Sequence, residues 1–208
     1  MGSKIPKQFL LLGKKAILMH TLDAFFNTDS SFHLILVLPE GQMAYWEELC
    51  KKYEFTVPCQ IAKGGNTRYQ SVKNGLELVP NDSLVAVHDG VRPFPKSGMI
   101  LNLFQEAEER GNAIPSIPLN DSIRKIVAEA NIALDRTLYR LIQTPQCFES
   151  NILKKAYSQA FKDTFTDEST VVEALGIKIN LIEGDPGNIK ITNPEDFICA
   201  SARIAAEN

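Results

Sequence analysis

The chain has 208 residues, 44% of them hydrophobic and 23% charged, with a formal net charge of −3. That length suits one domain, or one domain with an appendage, and the apolar content supports a buried core rather than a disordered chain. The mild acidic balance argues against broad nucleic-acid or membrane-surface binding and leaves room for a local basic pocket.

The N-terminal MGSKIPKQF lacks the apolar stretch of a signal peptide, and no later run is long enough to span a bilayer. Pro6 stands where a myristoylation signal wants Ser or Thr. Cysteines 50, 59, 147 and 199 form no C-x-x-C pair and fit no common zinc spacing, which reads as reduced, mostly buried thiols in a cytoplasmic protein. His20, His33 and His88 lie far apart and show no H-x-x-x-H spacing, so no protein-built metal site is expected.

In chain order, Pro6-Lys7-Gln8-Phe9 places one cation beside a proline-fixed bend, a setting in which a lysine is ordinarily solvated. Leu18, Leu22, Phe25 and Phe26 recur at helical spacing and predict an amphipathic helix. The continuous apolar run Leu34–Leu38 predicts a strand covered on both faces.

A short strand over about 57–62 leads into Gly64-Gly-Asn-Thr-Arg68, which opens a helix running through Ser71, Val72, Gly75 and Leu76. Paired glycines let a backbone approach a ligand closely, and a helix start offers free N–H groups; the same pattern also suits a plain tight turn. Arg68 and Ser71 in the first turns favour a polar ligand.

Leu84-Val-Ala-Val87 is a second buried strand, and it ends in His88 and Asp89, with Arg92 three residues on. Strands alternating with helices imply an α/β fold: a Rossmann-like, mostly parallel sheet with flanking helices. Ligands in such sheets sit beyond the carboxyl ends of the strands, where Asp89 and Arg92 fall. A carboxylate there suits a hydroxyl or Mg²⁺, and an arginine suits phosphate; a structural Asp–Arg pair is the competing reading.

Residues 119–146 break the rhythm. Ser122–Val127 and Tyr139–Gln143 alternate polar and apolar residues, which predicts two strands joined by a polar turn, a protruding β-arm on a single domain spanning 1–208. Thr166-Asp-Glu-Ser169 reads as a helix N-cap, the following helix carries Val171, Val172 and Leu175, and Gly176 closes it. Asn188-Ile-Lys190-Ile-Thr192 reads as a short strand, with Lys190 facing either an anionic partner or water. Asn193-Pro-Glu-Asp196 starts a last helix: an N-cap, Pro at the first position, then two carboxylates facing the dipole.

Taken together, PKQF, GGNTRYQSVKNGL, VAVHDGVRPF, PLNDSIRK, LDRTLYRLIQTPQCF, FTDES and EGDPGNIKITNPEDF resemble one family in order and spacing. That family is the 2-C-methyl-D-erythritol 4-phosphate cytidylyltransferases of the non-mevalonate isoprenoid pathway. The ribitol-5-phosphate cytidylyltransferases are close relatives. The form GG-x-x-R-x-x-SV-x-x-GL is closer to the methylerythritol branch.

The resemblance implies that the acceptor's phosphate attacks the α-phosphate of magnesium-bound CTP in line and that pyrophosphate leaves. It gives Lys7 and Lys190 catalytic, charge-neutralising roles. It places Gly64, Gly65, Arg68 and Ser71 around the cytidine, and Asp89 near ribose, metal and acceptor. It assigns Arg92 and Thr144 to the acceptor side, and Ser122 and Arg136 to an arm that reaches the neighbouring site of a homodimer. No nucleic-acid or membrane partner is implied.

Family members carry a strand and a loop of the form A-A-G-x-G-x-R-M directly ahead of the segment aligned with Met1-Gly2. The chain as written is therefore expected to have a gap in its parallel sheet and weak or no activity, a start placed too late being the favoured cause over a cloning truncation or a degenerate protein. From a different class, a catalytically silent, dimeric nucleotide-binding protein competes with the enzyme reading. Retention of Lys7, Asp89, Arg92 and Lys190 opposes it. Hydride transfer is disfavoured because no G-x-G-x-x-G follows a strand.

Overall fold

Apolar runs and helical stripes alternate along the chain, and each run becomes a strand with a helix laid against it. The computed structural model describes residues 5–206. After a 3-10 turn at Lys7–Phe9, a small hairpin forms from β1 (Leu11–Leu12) and β2 (Lys15–Ala16). Helix α1 (Ile17–Thr28) buries Leu18, Leu22 and Phe25 of the expected stripe and leaves Phe26 half-buried. β3 (Ile35–Leu38), α2 (Glu40–Lys52), β4 (Gln60–Lys63), α3 (Arg68–Leu76), β5 (Leu84–Val87) and α4 (Ser97–Arg110) follow.

Gly111 ends α4 in the left-handed region at φ +81°, and its N–H reaches Ala107 O at 2.8 Å. Glycine adopts that backbone without the Cβ clash that other residues meet, so the chain turns at once into β6 (Asn112–Pro118). The second half holds β7 (Ile123–Val127), β8 (Ala130–Leu134), β9 (Arg140–Ile142), β10 (Gln146–Glu149), α5 (Ser150–Ala156), α6 (Glu168–Glu173), β11 (Leu181–Glu183) and α7 (Pro194–Ala206).

β5, β6 and β11 run one way: β6 pairs with β11 in parallel, while β10 lies antiparallel between β5 and β6. β9 pairs antiparallel with the far end of β6. β3 and β4 form a separate parallel pair. Their carboxyl ends meet that of β5, because Gly64 N donates to Leu38 O at 2.8 Å and Arg68 stands 3.9 Å from Asp89. With the two hairpins set aside, β3, β4, β5, β6 and β11 share one direction and β9 and β10 oppose it, so the sheet is mostly parallel, with helices on the faces, as the alternation predicts. β3 and β5 are not bonded to each other, and a cavity of about 640 Å³ lies between them. The gap expected in the sheet is there, whereas the Met1-Gly2 start lies outside the described residues.

Four expectations need correction. The arm strand Ile123–Val127 pairs with Ala130–Leu134, turning at Ala128 (φ +50°) and Glu129. The strand expected at 139–143 instead returns to the main sheet, where Ile142 sits opposite Ser116. Residues 189–192 form no strand; the bond from Ile191 N to Val91 O at 2.9 Å and the bonds from Thr192 to Asp196 hold the segment instead of a ladder. Among the thiols Cys147 is buried, Cys50 and Cys59 are half-buried and Cys199 is exposed on the outer side of α7, so "mostly buried" holds for only part of the set.

Candidate active site

β5 ends at Val87, and the next residues fold back on themselves. Arg92 N donates to Asp89 O at 3.0 Å, and Arg92 Nε donates to Asp89 Oδ2 at 3.2 Å. Arg92 Nη1 also donates to the Asn188 carbonyl at 2.8 Å. The buried arginine therefore ties the β5 loop to the segment ahead of α7. Along that segment comes Lys190, whose Nζ lies 3.1 Å from Asp89 Oδ2. From the other side Arg68, at the start of α3, approaches Asp89 Oδ1 at 3.9 Å.

Three cations thus converge on one carboxylate that is 12% exposed. Burial on its own would raise the Asp89 pKa. Lys190, Arg68 and Arg92 outweigh it and hold the group below the usual carboxylate range, so it is ionised at neutral pH.

Arg68 has a stronger partner. Its Nη1 and Nη2 donate to the two oxygens of Glu168 at 2.5 and 2.9 Å. Glu168 is fully buried at the start of α6, and Tyr157 donates its hydroxyl to the same carboxylate at 3.2 Å. Burial works against the Arg68 charge, but Glu168 and then Asp89 more than offset it, and the guanidinium stays protonated. Three cations against two carboxylates leave the cluster one positive charge in surplus, which suits a phosphate-bearing ligand.

A relay of hydrogen bonds fixes the loop from beneath. β9 and β10 are one strand interrupted at 143–145, which contains a cis bond before Pro145. The interruption presents Thr144: its Oγ1 accepts from Asp89 N at 3.1 Å and lies 3.0 Å from His88 Nδ1. His88 Nε2 faces the Arg92 carbonyl at 2.9 Å. A carbonyl only accepts, so Nε2 carries the proton and Nδ1 accepts from Thr144. Burial, the largest influence, pushes the His88 pKa down to about 4, which keeps the ring neutral.

The glycine loop abuts this group. A Cβ on Gly64 would stand 3.3 Å from the Leu38 backbone, and one on Gly65 would collide with Gln70 at 2.1 Å. Ser71 Oγ accepts from Gly65 N at 3.0 Å and donates to Thr67 O at 2.9 Å, so this hydroxyl shapes the loop. Thr67 caps α3 by accepting from Gln70 N at 3.0 Å.

The structure therefore gathers Gly64, Gly65, Arg68, Ser71, Asp89, Arg92, Thr144 and Lys190 at one end of the sheet. Lys7 is half-buried in the N-terminal 3-10 turn and acts electrostatically on Asp196, but among the described residues it makes no ion pair with Asp89. Ser122 and Arg136 are exposed on the arm, where Arg136 Nη1 donates to the Asn120 carbonyl. Sequence reasoning missed Glu168, which reads as a first-turn acid next to its cap. It also missed Asn188, fully buried, which donates through Nδ2 to Thr144 O at 2.7 Å. Among the described residues no cluster of three or more His, Cys, Asp or Glu side chains could hold a metal ion.

A family model described as 2-C-methyl-D-erythritol 4-phosphate cytidylyltransferase matches residues 1–206. The chain belongs to this family. It is 46% identical over 204 residues to the 2-C-methyl-D-erythritol 4-phosphate cytidylyltransferase of Phocaeicola vulgatus, covering 98% of this chain and 93% of that protein. The same-named protein of Porphyromonas gingivalis is 46% identical over 208 residues, covering 99% and 92%. Among solved structures, the Thermus thermophilus 2-C-methyl-D-erythritol 4-phosphate cytidylyltransferase superposes with a TM-score of 0.78 at 31% identity, covering 96% of this chain and 94% of that one. The 4-diphosphocytidyl-2C-methyl-D-erythritol synthase of Anaerococcus prevotii gives 0.84 at 27% identity, covering 98% and 92%.

Proposed function

We propose that the chain transfers CMP from CTP to 2-C-methyl-D-erythritol 4-phosphate and releases pyrophosphate. The observation that carries this reading is the cluster of Arg68, Arg92 and Lys190 around ionised Asp89 at the carboxyl end of β5, in a chain of this family. An oxygen of the acceptor's phosphate attacks the α-phosphorus of CTP, the bond to the β-phosphate breaks, and pyrophosphate carries the electron pair away. Such a reaction needs positioning and charge neutralisation more than a covalent intermediate.

Lys190 is 41% exposed and can turn a donor toward a bound phosphate while Asp89 holds its place. Lys7 adds a second cation from the N-terminal turn. The backbone at Gly64 and Gly65, shaped by Ser71, reads the base, and Arg68 lies between that loop and Asp89. Arg92 and Thr144 hold the acceptor-side wall in register.

Magnesium would be carried in on the triphosphate and held mainly by its phosphates, with Asp89, which Lys190 and Arg92 already face, as the carboxylate at that position. When bound, it neutralises phosphate charge and aligns the leaving group. The arm carries Ile126, Val127, Ile132 and Leu138 exposed, from 44% to 80%. A lone hairpin with that apolar face is marginal in water, which supports a homodimer in which Ser122 and Arg136 reach the partner's site. No helix among the described residues is long and apolar enough to cross a membrane, and the cytoplasm is the proposed place of action.

The test is pyrophosphate release from CTP and Mg²⁺, with methylerythritol 4-phosphate and ribitol 5-phosphate assayed in parallel. Weak release with the first acceptor is expected, because the gap between β3 and β5 adjoins the site. Release with ribitol 5-phosphate alone would overturn the acceptor assignment.

A further inference from the structure

β11 ends at Glu183, and the chain needs a new anchor before it reaches Lys190. Gly184 N still bonds to β6, at Ser116 O, over 2.9 Å. Asp185 is met by a side chain instead of a strand. Gln143, 4% exposed at the break between β9 and β10, accepts from Asp185 N through Oε1 at 3.1 Å and donates to Asp185 O through Nε2 at 2.8 Å. One amide thus makes both bonds that a facing strand residue would make. The same Nε2 lies 3.4 Å from Asn188 O.

The fit is close. A Cβ on Gly184 would stand 2.5 Å from Gln143 Oε1 and would push the amide off Asp185. The turn beyond is closed by Asn188 N to Asp185 O at 2.9 Å and by Gly187 N to Asp185 Oδ1 at 2.8 Å. Two residues after Asn188 comes Lys190, 3.1 Å from Asp89 Oδ2. Asp89 N is held by Thr144, the residue next to Gln143. Neighbouring residues of one segment therefore fix the two sides of this ion pair: Thr144 fixes the carboxylate loop, and Gln143 fixes the turn ahead of the lysine.

We propose that Gln143 is a positioning residue that sets Lys190 at ion-pair distance from Asp89. A buried apolar side chain in its place would leave Asp185 N and O without these bonds, and the turn would shift to recover them. Gln143 acts through the backbone at 185 and 188. Its effect on catalysis rests on the CMP-transfer reading; its effect on where Lys190 stands does not.

The experiment labels lysines with a trace of acetic anhydride in the 208-residue chain, in Gln143→Leu and in Gln146→Leu, and reads the rate at each site by mass spectrometry. An amine engaged by a carboxylate attacks the reagent less often than a free one, so Lys190 is expected to label about threefold faster or more in Gln143→Leu. Lys63, paired with Glu40, should keep its rate. Gln146 is as deeply buried, at 1%, but bonds to Asp167 and Ser169, so Gln146→Leu should leave the Lys190 rate unchanged. An unchanged rate in Gln143→Leu, or an equal rise in Gln146→Leu, would overturn the proposal. Should Gln143→Leu fail to fold, Gln143→Asn carries the same test with the same expected direction, because its shorter amide cannot reach both groups of Asp185. In pyrophosphate release, Gln143→Leu is expected to lower kcat about tenfold, and to lower it no further in a Lys190→Ala background. Equal losses in both backgrounds would overturn the link through Lys190. Absence of release from the parent would count against the transfer reading alone, and the labelling rates would still decide the position of Lys190.

Discussion

Arg68 and Glu168, one hundred residues apart, meet in a two-pronged ion pair with N···O distances of 2.5 and 2.9 Å. The carboxylate is fully buried and the guanidinium 41% exposed, so the pair reads as a buried clamp holding a half-open cation. Glu168 meets the proposed substrate site through Arg68, which it aims.

The first prediction follows from that clamp. Glu168→Gln keeps the shape and removes the charge. Unfolding free energy in urea is expected to fall by about 1–3 kcal/mol, less than for a fully buried pair because water still reaches Arg68. With Arg68 loosened, KM for CTP should rise about tenfold while kcat changes little. An unchanged KM beside lower stability would leave Glu168 a purely structural residue.

Asp89→Asn tests the centre of the cluster. Three cations would then face a neutral amide, and Lys190 would lose the partner 3.1 Å away. Pyrophosphate release should drop by about a hundredfold, the size typical of losing one preorganised charged group.

The same residue makes a pH prediction. Its folded pKa is depressed, so its contribution to stability is fully present above the unfolded value, about 4, and is lost as pH falls through the folded value. Urea midpoints measured from pH 5 down to pH 3 should fall less steeply for Asp89→Asn than for the parent. Identical slopes would mean that the surrounding cations do not stabilise the ionised carboxylate.

His88 gives a curve of the same sign at higher pH. Its folded pKa is lowered to about 4, so between there and its ordinary value of 6.5 the unfolded chain binds more protons than the folded one. Stability should therefore decline as pH falls through that window, with a limiting slope of about 1.4 kcal/mol per pH unit. His88→Gln, which does not titrate, should flatten this limb in denaturant titrations. A parent chain whose stability is level from pH 6.5 to 4 would contradict the buried neutral ring.

The arm is tested separately. Leu138 is 80% exposed, so Leu138→Asp leaves the fold of one chain intact. Sedimentation should show a dimer in the parent and a monomer in the variant at the same concentration. A parent that sediments as a monomer would remove the arm's proposed role.

Much of this architecture could be read from residue order. β5 occupies the four residues expected of it, and the cap at Asn193 forms as drawn: Asp196 N donates to Asn193 Oδ1 at 2.8 Å. Local chemistry decides such features, so local reading finds them. Partner choice is a different matter. Tyr139–Gln143 alternates as an arm strand would, and nothing in that alternation shows that Arg140–Ile142 pairs with β6. Glu168 illustrates the same limit, since an acid after an N-cap is ordinarily solvated and only the arrival of Arg68 makes its burial tolerable. Lys190 lies outside any strand because Arg92 and Gln143 use the Asn188 carbonyl, at 2.8 and 3.4 Å, leaving less backbone for a ladder.

Thr144 occupies the break between β9 and β10, two residues beyond Ile142. Leu141 and Ile142 are exposed at the foot of the arm, and Thr144 holds both His88 and the Asp89 amide. About 7 Å of one extended chain separates a surface that a second subunit would press from the loop that presents the central carboxylate. Assembly and chemistry thus share a single lever: whatever shifts the strand at Ile142 shifts the seat of Asp89 with it.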